Sequence, residues 1–129
     1  MSTLKVNTIQ NTSGVEVYTC KAWVNFNGTG TVAIRASGNV SSITDNAQGD
    51  YLVNFTTAMS DTNYLVVAQA MTYSSATSIP GLLALKNSGG NLSSLPTGKN
   101  TSSVRVAGTY GNNGGASVDI ADCGVAIFR

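Results

Sequence analysis

Apolar and polar residues alternate with a period of two along much of this chain, which is the pattern of half-buried β-strands. The clearest example is the run YLVNFT at residues 51–56. Its odd-numbered residues, Tyr51, Val53 and Phe55, fall on one face of a strand and are expected to point into a core. Asn and Gly residues interrupt the alternation repeatedly. The pattern therefore predicts short strands joined by turns.

About eight or nine strands are predicted, at spacings of roughly 8 to 12 residues and with no convincing helix. The expected strands are Val15–Phe26, Thr29–Arg35, Val40–Thr44, Tyr51–Thr56, Tyr64–Tyr73, a strand containing Ile79 and Leu82–Leu85, Ser102–Thr109 and Ala116–Phe128. Asn27-Gly28 predicts a two-residue type I′ hairpin, because both turn positions need positive φ. Residues 45–49 are expected to form a loop, and Tyr64–Tyr73, apolar on both faces, is expected to be buried. The fold class is all-β, as an antiparallel β-sandwich or jelly-roll.

The N-terminal segment, residues 1–14, is assigned to an extended arm ahead of a sandwich domain at residues 15–129. Its apolar residues are Leu4, Val6 and Ile9, set among polar neighbours. A segment of this composition cannot bury itself, so these three side chains are expected to contact another surface. That surface is either an edge of the chain's own sheet or a neighbouring subunit, and both interpretations stay open.

The amino-acid composition predicts a surface that is polar but carries few charges. A chain of 129 residues fits one domain. Ser, Thr and Asn together make up 43 residues, while charged residues make up only 10% and the net charge is +1. The basic residues are scattered singly, so no basic stripe for nucleic acid is predicted.

Membrane insertion is not predicted either. No apolar run approaches the roughly 18–20 residues of a membrane helix. The N-terminus also lacks the apolar core of a signal peptide. Synthesis and folding in a cytoplasm are therefore expected.

Residues for catalysis are scarce. The chain has no His, the commonest general base and transition-metal ligand. Cys20 and Cys123 are too few for a structural zinc site, and both are interpreted as reduced, small buried hydrophobes. No nucleophile elbow or phosphate-binding loop occurs. The sequence therefore predicts a protein that is not an enzyme and has no cofactor.

The acidic residues are the remaining candidates for chemistry. A carboxylate pair for glycoside cleavage could come from Asp45, Asp50, Asp61, Asp119 and Asp122. Most lie in turn contexts, where Asp commonly accepts backbone N–H groups. Asp45, Asn46 and Asp50 could also approach a calcium-like cation, but their spacing matches no loop motif and favours an Asx-turn. No metal site is predicted.

Several stretches are similar in amino-acid sequence to a known class of virion protein. They are LKVNTIQ at residues 4–10, Ala22–Tyr64, and more weakly VRV at 104–106 and VAIFR at 125–129. The sequence similarity is strongest at Trp23–Phe26, Ile43–Asn46 and Val53–Thr56. In these stretches the chain resembles the β-rich module of tail-fibre and small virion surface proteins of marine bacteriophages, chiefly those that infect cyanobacteria.

This resemblance implies a structural protein at the virion surface, made in the host bacterial cytoplasm and assembled as a homotrimer. Its expected partners are copies of itself, other virion proteins of the capsid or tail, and host cell-surface polysaccharide. Aromatic faces stack on sugar rings and amides reach sugar hydroxyls. The candidate glycan-binding residues chosen on that basis are Tyr73, Asn87, Asn91, Tyr110, Asn112 and Asn113.

Two other functions remain as alternatives to host attachment. A full tail fibre usually carries a long anchoring region ahead of such a module, whereas this sequence begins almost at the module. That difference favours a capsid decoration or cement protein whose arm, with Leu4, Val6 and Ile9, clamps the head shell. A glycan-cleaving enzyme is the third alternative, and it would need two carboxylates facing one groove.

Overall fold

The computed structural model describes residues 2–14, 18–71, 81–85, 98–110 and 117–129. Within these ranges the chain forms eight β-strands and no helix, which confirms the all-β prediction. The strands are β1 (Cys20–Asn27), β2 (Ala33–Gly38), β3 (Val40–Ala47), β4 (Asp50–Phe55), β5 (Leu65–Met71), β6 (Gly81–Leu85), β7 (Ser103–Tyr110) and β8 (Asp122–Phe128). The described part accordingly contains no helix that could cross a membrane.

The strands form two antiparallel four-stranded sheets. The first sheet has the order β2-β1-β8-β5, and the second has the order β3-β4-β7-β6. The first and last strands, β1 and β8, therefore lie side by side in the middle of the first sheet. The chain passes from one sheet to the other four times, between β2 and β3, β4 and β5, β5 and β6, and β7 and β8. These two layers agree with the predicted sandwich.

One hydrophobic core is shared by both sheets, because alternate residues of each central strand point inward. The buried residues include Ala22, Val24 and Phe26 of β1, Tyr51, Val53 and Phe55 of β4, and Cys123, Val125 and Ile127 of β8. Phe26 and Tyr51 join the sheets edge to face, with ring centroids 5.2 Å apart at 74°. The alternation seen in residues 51–56 is thus confirmed as the core face of β4.

The predicted type I′ hairpin at Asn27-Gly28 is wrong, although β1 and β2 do pair as a hairpin. The connection runs over residues 28–32, and Gly30 is its residue with positive φ (62°). Gly28 serves a different purpose. A Cβ there would lie 2.5 Å from the Tyr51 hydroxyl and 2.7 Å from the Ile120 carbonyl oxygen. The glycine therefore permits the close approach in which that hydroxyl donates to the Gly28 carbonyl at 2.8 Å.

Strand β5 also departs from expectation, since it is an edge strand rather than a buried one. It pairs with β8 over seven residue pairs and lies at the end of the first sheet. Its inward residues pack on the core, but Leu65 is 64% exposed and Met71 is 69% exposed. The sequence predicts burial of both faces of this strand, because both faces are apolar. Here the outward face is apolar and open.

Other strand boundaries moved by a few residues. Strand β3 continues through Ala47, so Asp45 and Asn46 lie in a strand rather than in a loop, and the turn is at Gln48-Gly49. Strand β8 begins at Asp122 instead of residue 116. Predicted strand residues 15–17, 72, 73, 79 and 116 lie outside the described residues.

The N-terminal arm belongs to none of the eight strands. Over residues 2–14 every residue is exposed, including the three apolar ones, Leu4, Val6 and Ile9. Leu4 is the extreme case at 86% exposed. Among the described residues of the single chain, nothing covers these three side chains.

Asn39 makes the corner between β2 and β3, the first place where the chain changes sheets. Its φ of 55° lies in the left-handed region, which Asn tolerates better than most residues. Its side-chain amide donates to the carbonyls of Lys21 (3.0 Å) and Thr57 (3.1 Å) and accepts from the Thr57 N–H (2.7 Å). The corner is thus tied to both β1 and the end of β4.

Alkaline pH should destabilise this fold, because burial disfavours the ionised forms of core side chains. Desolvation raises the pKa of Tyr64 to about 12 and the pKa of Cys123 to about 12, from ordinary values of 10.0 and 9.0. A folded-state pKa above the unfolded one gives stability that is complete below the unfolded pKa and is lost as pH rises. We expect the melting temperature, followed by circular dichroism, to hold up to about pH 9 and to fall towards pH 12.

The variant Tyr64→Phe is the matched control for this titration. It removes one ionising group and should flatten the upper part of the decline, above about pH 10. A melting temperature that stays constant through this range, or a decline unchanged in the variant, would contradict the expectation.

Candidate functional site

The predicted glycan-binding residues fall almost entirely outside the described part of the chain. Residues 73, 87, 91, 112 and 113 are not described, and for Tyr110 only the backbone position at the end of β7 is. Their role as a sugar-binding surface therefore stays a prediction. The described residues offer a different candidate site.

A groove lies on the outer face of the first sheet, across β1, β8 and β5, and we call it the Trp23 groove. Its volume is about 240 Å³. The lining residues are Trp23, Val24, Asn25, Val67, Gln69, Gly124, Val125 and Ala126. None of them carries a charge.

Strand register explains why these residues meet. Ala126 of β8 is paired with Trp23 on one side and with Val67 on the other, which makes an apolar row. The next outward row is polar, because Gly124 is paired with Asn25 and Gln69. Small residues on the central strand make a floor between taller side chains on its two neighbours.

Trp23 is the dominant side chain of the groove and is 44% exposed. Its indole rests on the backbone of Gly38 in β2, where a Cβ would lie only 2.5 Å from the indole nitrogen. Gly124 has a similar relation to Gln69, whose Cγ would be 2.7 Å from a Cβ added at the glycine. Two glycines therefore allow two long side chains to lie down on the sheet and border the groove.

The Asn25 amide is held in place by charged neighbours beyond the groove. Its Nδ2 donates to Asp122 Oδ1 at 2.5 Å. Arg35 Nη1 lies 3.2 Å from the same Asp122 oxygen and 3.5 Å from Asn25 Oδ1, and Arg35 Nη2 donates to the Ala121 carbonyl at 2.6 Å. An amide has two N–H donors and two lone pairs, so one of each remains for a ligand. The Asn25 side chain is thus pre-oriented and still able to bind.

Two further polar groups border the groove without a partner in the described part of the chain. Among the described residues, neither the Gln69 amide nor the Trp23 indole N–H makes a hydrogen bond to another side chain or to the backbone. The groove therefore combines an aromatic ring, two amides, a small-residue floor and no net charge.

Four of the five aspartates considered for catalysis or cation binding are occupied in structural contacts. Ion pairs join Asp50 to Arg105, Asp61 to Arg129, and Asp122 to Arg35. The described residues contain no group of three acidic or Cys side chains able to hold a metal ion. The Asx-turn expected around Asp45 is also wrong, since that residue lies in β3 and the neighbouring Asp50 carboxylate is bound by arginine.

Asp119 and Asp61 do cap backbone groups, as turn aspartates were expected to. Asp119 Oδ1 accepts from the Gly49 N–H at 2.7 Å, and Asp61 Oδ1 accepts from the Asn63 N–H at 2.7 Å. Hydrogen bonding to Arg129 and to that N–H lowers the pKa of the Asp61 carboxyl. Asp119 precedes β8 instead of lying within it.

The two cysteines are both free, as expected, but only one is buried. Cys123 is fully enclosed in the core, whereas Cys20 is exposed at the start of β1. The interpretation of Cys20 as a buried hydrophobe is therefore wrong. A register shift between Cys20 and Ala22 interrupts the alternation at that end of β1.

In the sequence, Trp23 is one apolar residue within the predicted strand Val15–Phe26. Period-two alternation with the buried Val24 was the signal that it faces outward. Its partners Val67 and Ala126 come from strands far along the chain, and local pattern does not reveal them.

Comparison with protein-family models, with curated proteins and with solved structures finds no match to this chain.

Proposed function

We propose that this chain is a non-enzymatic module of a bacteriophage virion surface that binds neutral sugar units of host envelope polysaccharide in the Trp23 groove. The observation that carries the proposal is an exposed indole flanked by the Asn25 and Gln69 amides over a floor of Gly124 and Ala126. The resemblance to phage tail-fibre and virion surface proteins supports the location. The groove supports the ligand class.

The ligand class follows from what each part of the groove can do. An aromatic face offers a large apolar area to the C–H face of a pyranose ring, and its N–H keeps a polar contact. Amides donate and accept at once, which suits hydroxyl groups that do the same. The lining carries no charge, so it offers nothing to a carboxylate or sulfate on the sugar. A neutral sugar ring is the best match.

The size of the groove sets the expected strength of binding. At about 240 Å³ it is smaller than the roughly 300–1,000 Å³ of pockets that enclose drug-sized ligands. Single-site affinity should therefore be weak, in the millimolar range. A homotrimer on a particle that carries many copies would raise the overall avidity by about 10²–10⁴-fold without new contacts.

Titration with neutral oligosaccharides tests the proposal. The probes are glucose, galactose, mannose and N-acetylglucosamine oligomers and polysaccharide extracted from cyanobacterial envelopes. Because Trp23 is the chain's single tryptophan, its fluorescence should shift as the ring is covered. Calorimetry should show that Trp23→Ala weakens binding by about 2 kcal/mol, roughly 30-fold, as expected for a central aromatic contact.

Ile34→Ala is the matched control, since Ile34 is an exposed apolar residue of the same sheet outside the groove. This variant should bind as the parent chain does, whereas Gln69→Ala should lose several-fold in affinity. Binding that survives Trp23→Ala, or no binding to any of the probes, would contradict the proposal.

A second candidate is a decoration or cement protein of the capsid. It is favoured by the exposed arm, in which Leu4, Val6 and Ile9 have no contact that buries them. In that function the protein should rebind heads stripped of it and raise their resistance to heat. A chain lacking residues 2–10 should fail to do so.

A further inference from the structure

We propose that the N-terminal arm of one copy adds as a fifth strand to the free edge of β5 in a neighbouring copy. The inference goes beyond sugar binding and does not depend on it. It joins two features of this molecule, an exposed apolar arm and a sheet edge with which no described strand pairs.

The β5 edge lacks the devices that usually prevent strands from pairing with other chains. Edge strands are commonly protected by charges, by proline or by bulges that break their flatness. Residues 65–71 read LVVAQAM, with no charged residue and no proline. Their pairing with β8 runs over seven residue pairs without a register shift.

Two of the other three edge strands carry such protection, and the third is short. Strand β2 contains Arg35, and its pairing with β1 has a register shift. Strand β3 contains Asp45, and its pairing with β4 has two shifts. Strand β6 has only five residues, and a short edge strand is itself one of these devices. The contrast singles out β5 as the edge open to strand addition.

The arm matches this edge in length and pattern. Residues 2–10 (STLKVNTIQ) would span about 30 Å when extended, against roughly 23 Å for the seven residues of β5. Leu4 and Val6 fall on one face of an extended arm. On a strand beside β5 they would continue the outward apolar row that contains Leu65 and Val67. Backbone hydrogen bonds would supply affinity and the alternate side chains specificity.

A contact of this kind can close into a ring. An arm that binds a different surface on the next copy makes a heterologous contact, and such contacts close into rings when the rotation allows. Three copies would give a particle of three times 13.2 kDa. Strand addition occurs in the plane of the sheet, so the Trp23 groove on its outer face stays open.

Light scattering during gel filtration tests the inference with the full chain and with a chain lacking residues 2–10. We expect an oligomer for the full chain and a monomer for the truncated one. The double variant Leu65→Lys/Met71→Lys should weaken assembly at least tenfold, because it places charges along the β5 edge at positions that are already exposed. Ile34→Lys, at an exposed site on the β2 edge, should leave the assembly unchanged.

Hydrogen exchange locates the contact directly. Adding a synthetic peptide of residues 2–10 to the truncated chain should slow exchange of amides in Leu65–Met71, and a peptide with serine at positions 4 and 6 should not. A full chain that stays monomeric, a truncated chain that keeps its oligomeric mass, or β5 amides that the peptide does not protect would overturn the inference. Sugar binding by the truncated monomer would leave the Trp23 proposal standing in each case.

Discussion

Replacing Arg105 by methionine is expected to lower the free energy of unfolding by about 3 kcal/mol. Arg105 Nε donates to Asp50 Oδ1 at 2.7 Å, and Nη2 contacts the other carboxylate oxygen, so the pair is bidentate. The Asp50 side chain is only 3% exposed, whereas that of Arg105 is 23% exposed. Losing the guanidinium therefore removes a positive charge that compensates the Asp50 carboxylate. The carboxylate is the more buried of the two groups, so leaving it without this charge is energetically unfavourable.

A double-mutant cycle isolates this interaction. Urea unfolding would compare the parent chain with Arg105→Met, Asp50→Asn and the combination of both. The double variant should be less destabilised than the sum of the single variants, because a neutral amide at position 50 no longer needs a cation. Loss of less than about 1 kcal/mol in Arg105→Met, which is typical of exposed pairs, would contradict the expectation.

The same pair helps to set the register between β4 and β7. Asp50 is paired with Ala107 and Leu52 with Arg105, so acid and base are diagonal neighbours on one face. A slip of one residue would turn Arg105 to the opposite face and move Val104 and Val106 out of the core. An ion pair in this position therefore contributes to specifying the pairing as well as stabilising it.

The sequence was most informative where alternation was strict and one face was polar. Residues 51–56 predicted both β4 and its core face, since Asn54 and Thr56 could not share the face of Val53. Alternation failed to tell inside from outside in residues 65–71, because both faces of that run are apolar. Position at a sheet edge decides the burial of such a strand, and that position depends on the order of distant strands.

The Trp23 groove could not be predicted from the sequence for a related reason. Trp23 and Ala126 are separated by about a hundred residues and meet only because the first and last strands of the fold pair. Gly124 and Ala126 look unremarkable in the string CGVAIF, yet their small size leaves the floor of the groove open. The individual residues were visible, whereas the register that brings them together was not.

Replacing Gly49 by alanine is expected to cost about 3–4 kcal/mol in the free energy of unfolding. Gly49 has a φ of +61° in the turn between β3 and β4. A residue with a side chain would be strained in this left-handed conformation. A Cβ there would also lie 2.6 Å from the Val118 backbone nitrogen and 2.8 Å from the Gly108 carbonyl oxygen. Both neighbours are main-chain atoms, so relief requires movement of the backbone.

Gly30 provides an unusually close control for this substitution. Its φ of +62° is nearly the same, but no atom lies within 4 Å of the position that a Cβ would take. Gly30→Ala should therefore show only the cost of the left-handed backbone, about 1–2 kcal/mol. The difference between the two variants in urea unfolding measures the crowding at Gly49 alone. Equal costs would mean that the segment around Val118 does not pack against this turn, and the hydrogen bond from the Gly49 N–H to Asp119 would then lose its structural basis.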